Sequence, residues 1–524
     1  MTPMNRTGLI QRLAETPIFD VAIIGGGATG LGVALDAALR GFSVVLLESH
    51  DFAKGTSSRA TKLVHGGVRY LAQGNIGLVR EALHERTALL RNAPHLAQPL
   101  PFVMPSYKFW ETPFYGIGLK LYDALAGKAG LGSTEFLSRE ATLRHLPTVQ
   151  AQGLRGGVKY WDGQFDDARL ALALARTAAA QGALLVNYCV VTGLLHKADK
   201  LVGLQCTDKE TGRDHRVQAR CVINAAGVWV DRLRQMDGAA THQSAPPMVA
   251  PSQGVHIVVD REFLPSDHAL LVPKTADGRV LFAVPWLGKT ILGTTDTPRE
   301  DLAREPLAFK SEVDFILGES ARYLTRAPAT IDVKSVWVGL RPLVKPPEDD
   351  ASTKSISREH TVLVSKSGLV TVIGGKWTTY RAMAEDVLER CFEASLLSRV
   401  AAGVSERHLL VGAQVPVVGA PRLCDPPGLH AYGSEAADVM ALPGADRDLG
   451  GGLTQAMVRF AARREYARTV EDVLARRARL LFLDARLAAR LAPAVARLML
   501  EETGVDPQQA AFERLARQYA ALPA

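Results

Sequence analysis

Apolar positions along the chain fall into short runs set off by glycine or polar punctuation, and the earliest runs establish a pattern. Phe19 to Ile24 is almost wholly apolar and predicts a buried strand. It leads into Gly25-Gly26-Gly27-Ala28-Thr29-Gly30, a glycine loop opening a helix that should run to about Arg40, where Gly41 ends it. Val44 to Leu47 predicts a second strand, completing a βαβ unit. Two later runs, Cys221 to Ala226 before Gly227 and Leu369 to Ile373 before Gly374, read as returns to the same sheet. Between Val272 and Thr295 the runs shorten to Val280–Val284 and Thr290–Gly293, with turn signals at Asp277-Gly278 and Gly288-Lys289. This predicts an antiparallel meander. From about Gly403 to Gly452, Pro416, Pro421, Pro426, Pro427 and Gly450-Gly451-Gly452 mark loops or a linker, and beyond Leu453 the Ala, Arg and Leu spacing is helical.

The glycine loop carries chemistry as well as geometry. Gly25 permits the tight turn, Gly27 lets backbone approach a pyrophosphate, and Gly30 allows close packing of helix on strand. Ala28 and Thr29 lie at the helix N-terminus, where free N–H groups and the dipole favour an anion. Glu48 closes the second strand about 20 residues on, where a carboxylate can accept from a ribose diol. Strand, loop, helix, strand and acid in this order indicate an ADP-containing cofactor, and do not by themselves separate FAD from NAD.

Composition narrows the class. Apolar residues at 47% and charged residues at 22% fit a soluble globular protein, neither disordered nor membrane-spanning. The balance of 61 basic against 54 acidic side chains tilts the surface toward phosphorylated substrates, acidic lipid or nucleic acid without choosing among them. No module of clustered basic and aromatic residues is present, so no nucleic-acid partner is expected. The five cysteines are far apart and His84-Glu85 lacks the second histidine of a helical zinc site, so free thiols and no metal are expected. Met1 to Thr16 holds Arg6 and Arg12 but no signal-like apolar stretch. Apolar runs such as Ala183–Val186 and Leu480–Leu483 fall far short of the roughly 20 residues of a spanning helix, so any membrane contact should be peripheral.

The stretch Gly55-Thr56-Ser57-Ser58-Arg59-Ala60-Thr61-Lys62-Leu63-Val64-His65-Gly66-Gly67-Val68-Arg69-Tyr70-Leu71 is polar and glycine-rich where an ordinary helix or strand would be expected, and suits passage along a cofactor. It is followed by Asn224-Ala225-Ala226-Gly227-Val228-Trp229, Ser252-Gln253-Gly254-Val255-His256-Ile257-Val258, Gly339-Leu340-Arg341-Pro342-Leu343, Gly374-Gly375-Lys376-Trp377-Thr378-Thr379-Tyr380-Arg381 and Glu471-Asp472-Val473-Leu474-Ala475-Arg476-Arg477. In order, from near residue 17 to beyond 500, these blocks closely resemble the FAD-dependent glycerol-3-phosphate dehydrogenases, respiratory enzymes that pass electrons to quinone. Gln253 departs from relatives that carry a basic residue there, and Trp377 stands where a smaller apolar residue often occurs.

The resemblance implies an α/β fold: an FAD-binding Rossmann-like domain, an antiparallel-sheet substrate domain and a C-terminal helical domain. The expected boundaries are 17–400 for the oxidoreductase unit, with cofactor segments at about 17–100, 155–235 and 330–400 and substrate segments at about 101–154 and 236–329. A linker at 401–452 and a helical domain at 453–524 follow. FAD would be held non-covalently by Gly25, Gly27, Ala28, Thr29, Gly30 and Glu48, then by Thr56, Ser57, Ser58, Thr61, Lys62 and Leu63. Gly227, Trp229, Gly375, Lys376 and Thr378 would complete its site.

Oxidising a secondary alcohol needs a group to take the hydroxyl proton and others to fix geometry. A phosphate dianion calls for guanidinium groups. The resemblance assigns Arg341 and Arg358 to the phosphate of sn-glycerol 3-phosphate, and Arg69 and Tyr70 to another part of the pocket. His256 is the candidate base. Lys376 suits either stabilisation of charge on the reduced flavin or contact with a substrate oxygen. The implied partners are a membrane quinone and a lipid surface on the inner, cytoplasmic face of the membrane, with a homodimer as one oligomeric possibility. Arg459, Arg463, Arg464 and Arg476 suit acidic head groups, or else are solvated helix faces or salt-bridge partners. The alternatives are an oxidase that uses oxygen and, from another class, a flavin-binding nucleic-acid protein.

Overall fold

The computed structural model describes residues 5–67, 75–275, 278–345, 360–415, 417 and 419–523. The opening strand, Phe19–Ile24, is buried along nearly its whole length and lies parallel between Val44–Leu47 and Asp214–Asn224, with Ile23 opposite Leu46 and Ile223. Leu369–Gly374 adds in parallel beyond Asp214–Asn224, and Leu184–Val186 beyond Val44–Leu47. Buried on both faces, these strands read as continuous apolar runs without alternation. The helix Ala28–Leu39 covers one face and meets the helix Tyr380–Glu393 so closely that a Cβ at Gly32 would lie 2.9 Å from the Tyr380 ring. The predicted βαβ unit and both returns are therefore present.

The second sheet, ten-stranded among the described residues, holds the meander. Leu281–Trp286 and Lys289–Gly293 form an antiparallel hairpin through Leu287 and Gly288, both at positive φ, one residue earlier than the expected turn. Asp277 and Pro416, two of the expected punctuation marks, lie outside the described residues. Val249–Asp260 pairs along its length with Ser335–Val344, which sets His256 opposite Trp337 and Ser252 opposite Arg341.

The expected boundaries need revision at two strands. Gly156–Phe165 pairs with Ala97–Ser106, and Ser335–Val344 with Val249–Asp260, so both run in the second sheet and not with the cofactor segments. An apolar strand pattern shows burial, not which sheet supplies the partner. Residues 401–452, expected as a linker, pack on the body of the molecule: Leu410, Leu423, Tyr432 and Val439 are buried, and Glu435 accepts two bonds from the Arg176 guanidinium at 2.6 Å. The C-terminal helices, including Gln455–Arg464, Ala485–Thr503 and Gln509–Ala520, share one core cluster with Trp286 and Trp337 of the second sheet.

Candidate active site

A cleft of about 440 Å³ runs between the two sheets. At one end stands the glycine loop. Gly25 has φ +112°, and a Cβ there would sit 2.5 Å from the Ala225 carbonyl oxygen, so only glycine lets the two strand ends close together. The helix after it has Gly27 as its N-cap and no side-chain cap, while the Ala28 N–H donates to Ser57 Oγ at 2.9 Å. Glu48 is held from two sides: Oε2 accepts the Gly26 N–H at 2.7 Å, and Oε1 accepts the His50 N–H at 2.8 Å. Gly25, Gly27, Ala28, Thr29 and Glu48 all line the cleft. Gly30 does not, because a Cβ there would lie 2.0 Å from the Gly25 oxygen; it does the packing work expected of the third glycine.

The polar stretch after Glu48 forms a bridge to the second sheet. The turn Thr56–Ser58 docks through Thr56 Oγ1, which donates to the Leu340 carbonyl, and through the Ser57 carbonyl, which accepts from Trp377 Nε1 at 2.8 Å. Thr56, Ser57, Thr61 and Leu63 face the cleft, joined by Gly227, Trp229, Gly375, Lys376, Trp377 and Thr378 from the returning strands. Trp377 thus packs on the bridge itself. The other departure, Gln253, is turned inward and donates to Glu312.

Two of the expected cofactor contacts point elsewhere. Ser58 is buried off the cleft wall. Lys62 is fully buried, with Nζ donating to Asp167 at 2.7 Å and to the Ser58 carbonyl at 2.8 Å. Lys62 has φ +65°, a left-handed turn that leaves Thr61 on the cleft and sends the lysine into the core. Arg69, Tyr70 and Arg358 lie outside the described residues.

His256 and Arg341 line the cleft from neighbouring strands of the second sheet. His256 Nε2 and Thr61 Oγ1 are 2.9 Å apart, and the imidazole stacks on Trp337 with ring centres 4.1 Å apart and planes 19° from parallel. Gly293 on the next strand leaves room for the ring, since a Cβ there would lie 2.5 Å from it. Burial, then the cations Lys62 and Arg341, hold the imidazole well below its ordinary pKa, so it is neutral. Arg341 is aimed by donation to the Thr295 carbonyl at 3.0 Å and to the Gln253 carbonyl at 3.3 Å, beside the Asp296 carboxylate at 3.3 Å. Lys376 lines the same cleft at the N-cap of the turn Trp377–Thr379.

Comparison with known proteins identifies the family. A family model described as FAD dependent oxidoreductase matches residues 20–381, and one described as C-terminal domain of alpha-glycerophosphate oxidase matches residues 428–510. The mitochondrial glycerol-3-phosphate dehydrogenase of Mus musculus is 41% identical over 534 residues, covering 95% of this chain and 72% of its own. That of Schizosaccharomyces pombe is 37% identical over 98% of this chain and 89% of its own. The chain belongs to the FAD-dependent glycerol-3-phosphate dehydrogenases. The solved glycerol-3-phosphate dehydrogenase of Bacillus halodurans, complexed with FAD, superposes with a TM-score of 0.78 at 29% identity, covering 99% of this chain and 98% of that one.

FAD is accordingly the cofactor of this family member. Its residues fit the group: a glycine cradle that a Cβ would fill, an uncapped helix N-terminus for the pyrophosphate, and a fixed carboxylate at Glu48 for the ribose.

Two residues of the site lie outside the candidate motifs: Trp337, which backs His256 behind the wall of the dehydrogenase cleft, and Arg304, on the wall itself. Trp337 was absent from the candidate residues, although Trp337, Gly339 and Arg341 share one face of a strand by simple alternation. Arg304 also lines the cleft and lies 4.5 Å over the Trp229 ring. Of the four Arg residues that suit head groups or salt bridges, three follow the second course, with Arg459 and Arg463 both paired with Glu502 and Arg476 buried against Asp51 and Asp472, while Arg464 is half-buried. Those three are salt-bridge partners within the helical domain and its contacts.

Proposed function

We infer that this enzyme oxidises sn-glycerol 3-phosphate to dihydroxyacetone phosphate and hands the electrons to a quinone in a membrane. The observation that carries the reading is that one cleft is lined both by the glycine loop with Glu48 and by His256, Arg341 and Lys376. FAD, when bound, supplies the hydride acceptor. Arg341, already oriented by two carbonyls and Asp296, offers a fork to the substrate phosphate; at 4 Å such a pair is worth about 4 kcal/mol at an effective dielectric near 20. Arg69, Tyr70 and Arg358 are proposed as further substrate contacts. His256, neutral and fixed between Thr61 and Trp337, takes the hydroxyl proton. Lys376 offers an ammonium to charge that builds up during oxidation.

The membrane part of the reading rests on a surface patch. Phe109, Phe114 and Ile117 are 82%, 65% and 68% exposed, and Trp110, Leu121 and Phe136 are exposed beside them. Phe136 packs over Gly116 of the helix Glu111–Ala126, so the patch is continuous, and Lys108 and Lys120 border it. Contiguous exposed apolar area of this kind marks an interaction surface. Among the described residues no helix is long and apolar enough to cross a membrane. Anaerobic mixing of the purified holoenzyme with sn-glycerol 3-phosphate tests the reaction: the flavin should bleach, while glycerol without phosphate should leave it oxidised. In air, quinone reduction without stoichiometric peroxide supports the quinone acceptor, and stoichiometric peroxide without quinone reduction makes it an oxidase.

A further inference from the structure

Behind the cleft wall lies a buried lysine that the reaction as described does not use. Lys62 Nζ sits in a box of three aromatic rings, 4.7 Å from the centre of Trp337, 5.2 Å from Trp286 and 5.4 Å from Phe482. Arg479, from the C-terminal helical region, closes the box, with its guanidinium 4.5 Å over Phe482. Arg479 Nη2 donates to the Ser58 carbonyl and to Asp167 Oδ1, each at 2.9 Å. The Ser58 carbonyl therefore accepts from both cations, and Asp167 is shared between them. The side chains of Lys62, Asp167 and Arg479 are each at most 1% exposed. The same Trp337 indole that Lys62 approaches carries the His256 imidazole stacked on it.

We propose that Lys62 is a positioning residue for the oxidation: clamped by Asp167 and Arg479, it fixes the Trp337 plate on which His256 lies. This rests on the reading of His256 as the base. A cation over an indole face is attracted to the ring and held there in a desolvated setting. Burial pushes the Lys62 ammonium down to about 7 against the pull of Asp167, so below that pH its charge penalises a second cation nearby and protonating His256 costs more while Lys62 is present. The groups that bear on His256 are Thr61 and Lys62 from the bridge, Trp337 and Arg341 from Ser335–Val344, with Asp296 on Arg341, and Lys376 across the cleft. Asp166, Asp167 and Arg479 stand behind Lys62. The C-terminal region thereby takes part in building the active site through Arg479.

The test compares flavin bleaching by saturating sn-glycerol 3-phosphate, across pH, in the native holoenzyme, Lys62→Met, His256→Asn and the double variant. Lys62→Met should slow reduction about tenfold, a fraction of what a general base supplies. It should also move the acid limb of the profile upward by about one pH unit, because His256 then protonates more readily. The substrate KM should change less than twofold, and the double variant should be no slower than His256→Asn alone. Lys62→Gln, whose amide still donates to the Ser58 carbonyl, should show the same upward displacement and serves if Lys62→Met does not accumulate. A native enzyme that bleaches normally, with an unshifted profile in the Lys62 variants and additive effects in the double variant, overturns the proposal alone. A native flavin that glycerol 3-phosphate does not bleach overturns the functional reading and this proposal with it.

Discussion

The two ends of the cleft are built in different ways. The glycine-loop end comes from about 30 consecutive residues, and its working parts are backbone: a loop at positive φ, an uncapped helix end and N–H groups that hold Glu48. The other end takes Thr61, His256, Arg341 and Lys376, with Trp337 backing His256, from segments spread over more than half the chain, and its working parts are side chains. Backbone sites fail when space is filled, and side-chain sites fail when a group is removed. Substitutions that fill or delete can therefore separate them.

The largest expected effect is at the backbone end. Gly30→Val would force a side chain into the Gly25 carbonyl, and the purified protein should lose its bound flavin, read directly from absorbance. Next, His256→Ala should leave FAD bound and slow saturated flavin reduction about 10²- to 10⁴-fold. Arg341→Ala should raise the substrate KM about 100-fold, the loss of roughly 3 kcal/mol of charge-assisted bonding, with a smaller change in kcat. Phe114→Glu with Ile117→Glu should weaken sedimentation with anionic vesicles while leaving reduction by soluble substrate intact, since both side chains are on the exposed patch.

The smallest effect concerns pH and stability. His95 is 5% exposed, and burial followed by Arg169 pushes its pKa down to about 3. The unfolded chain binds its proton near pH 6.5 and the native state does not, so native stability falls as pH drops from about 6.5 toward 3. The slope from this group is at most about 1.4 kcal/mol per pH unit. Denaturant titrations of the native protein and His95→Gln over that range should differ in this sense.

How much the sequence revealed follows the same division. The strand, loop, helix and acid from Phe19 to Glu48 were legible because each acts within its own segment. The blocks around His256, Arg341 and Lys376 were visible as motifs, and the structure brings all three to one cleft. Sheet membership of Gly156–Phe165 and Ser335–Val344 was not legible, because pairing partners lie far away in sequence. The resemblance implies Lys62 as a cofactor contact, and a single left-handed residue reverses which side it faces. Trp337 escaped because an apolar ring in a strand looks like ordinary core until its cross-strand partner is known.

The central claim is that this cleft removes hydrogen from the alcohol carbon of a phosphorylated substrate. Single-turnover flavin reduction with sn-glycerol 3-phosphate bearing deuterium at C2 tests it most directly. Bleaching should be slower with the deuterated substrate and stoichiometric with the dihydroxyacetone phosphate formed. Bleaching without that product, or none at all with the native holoenzyme, would contradict it.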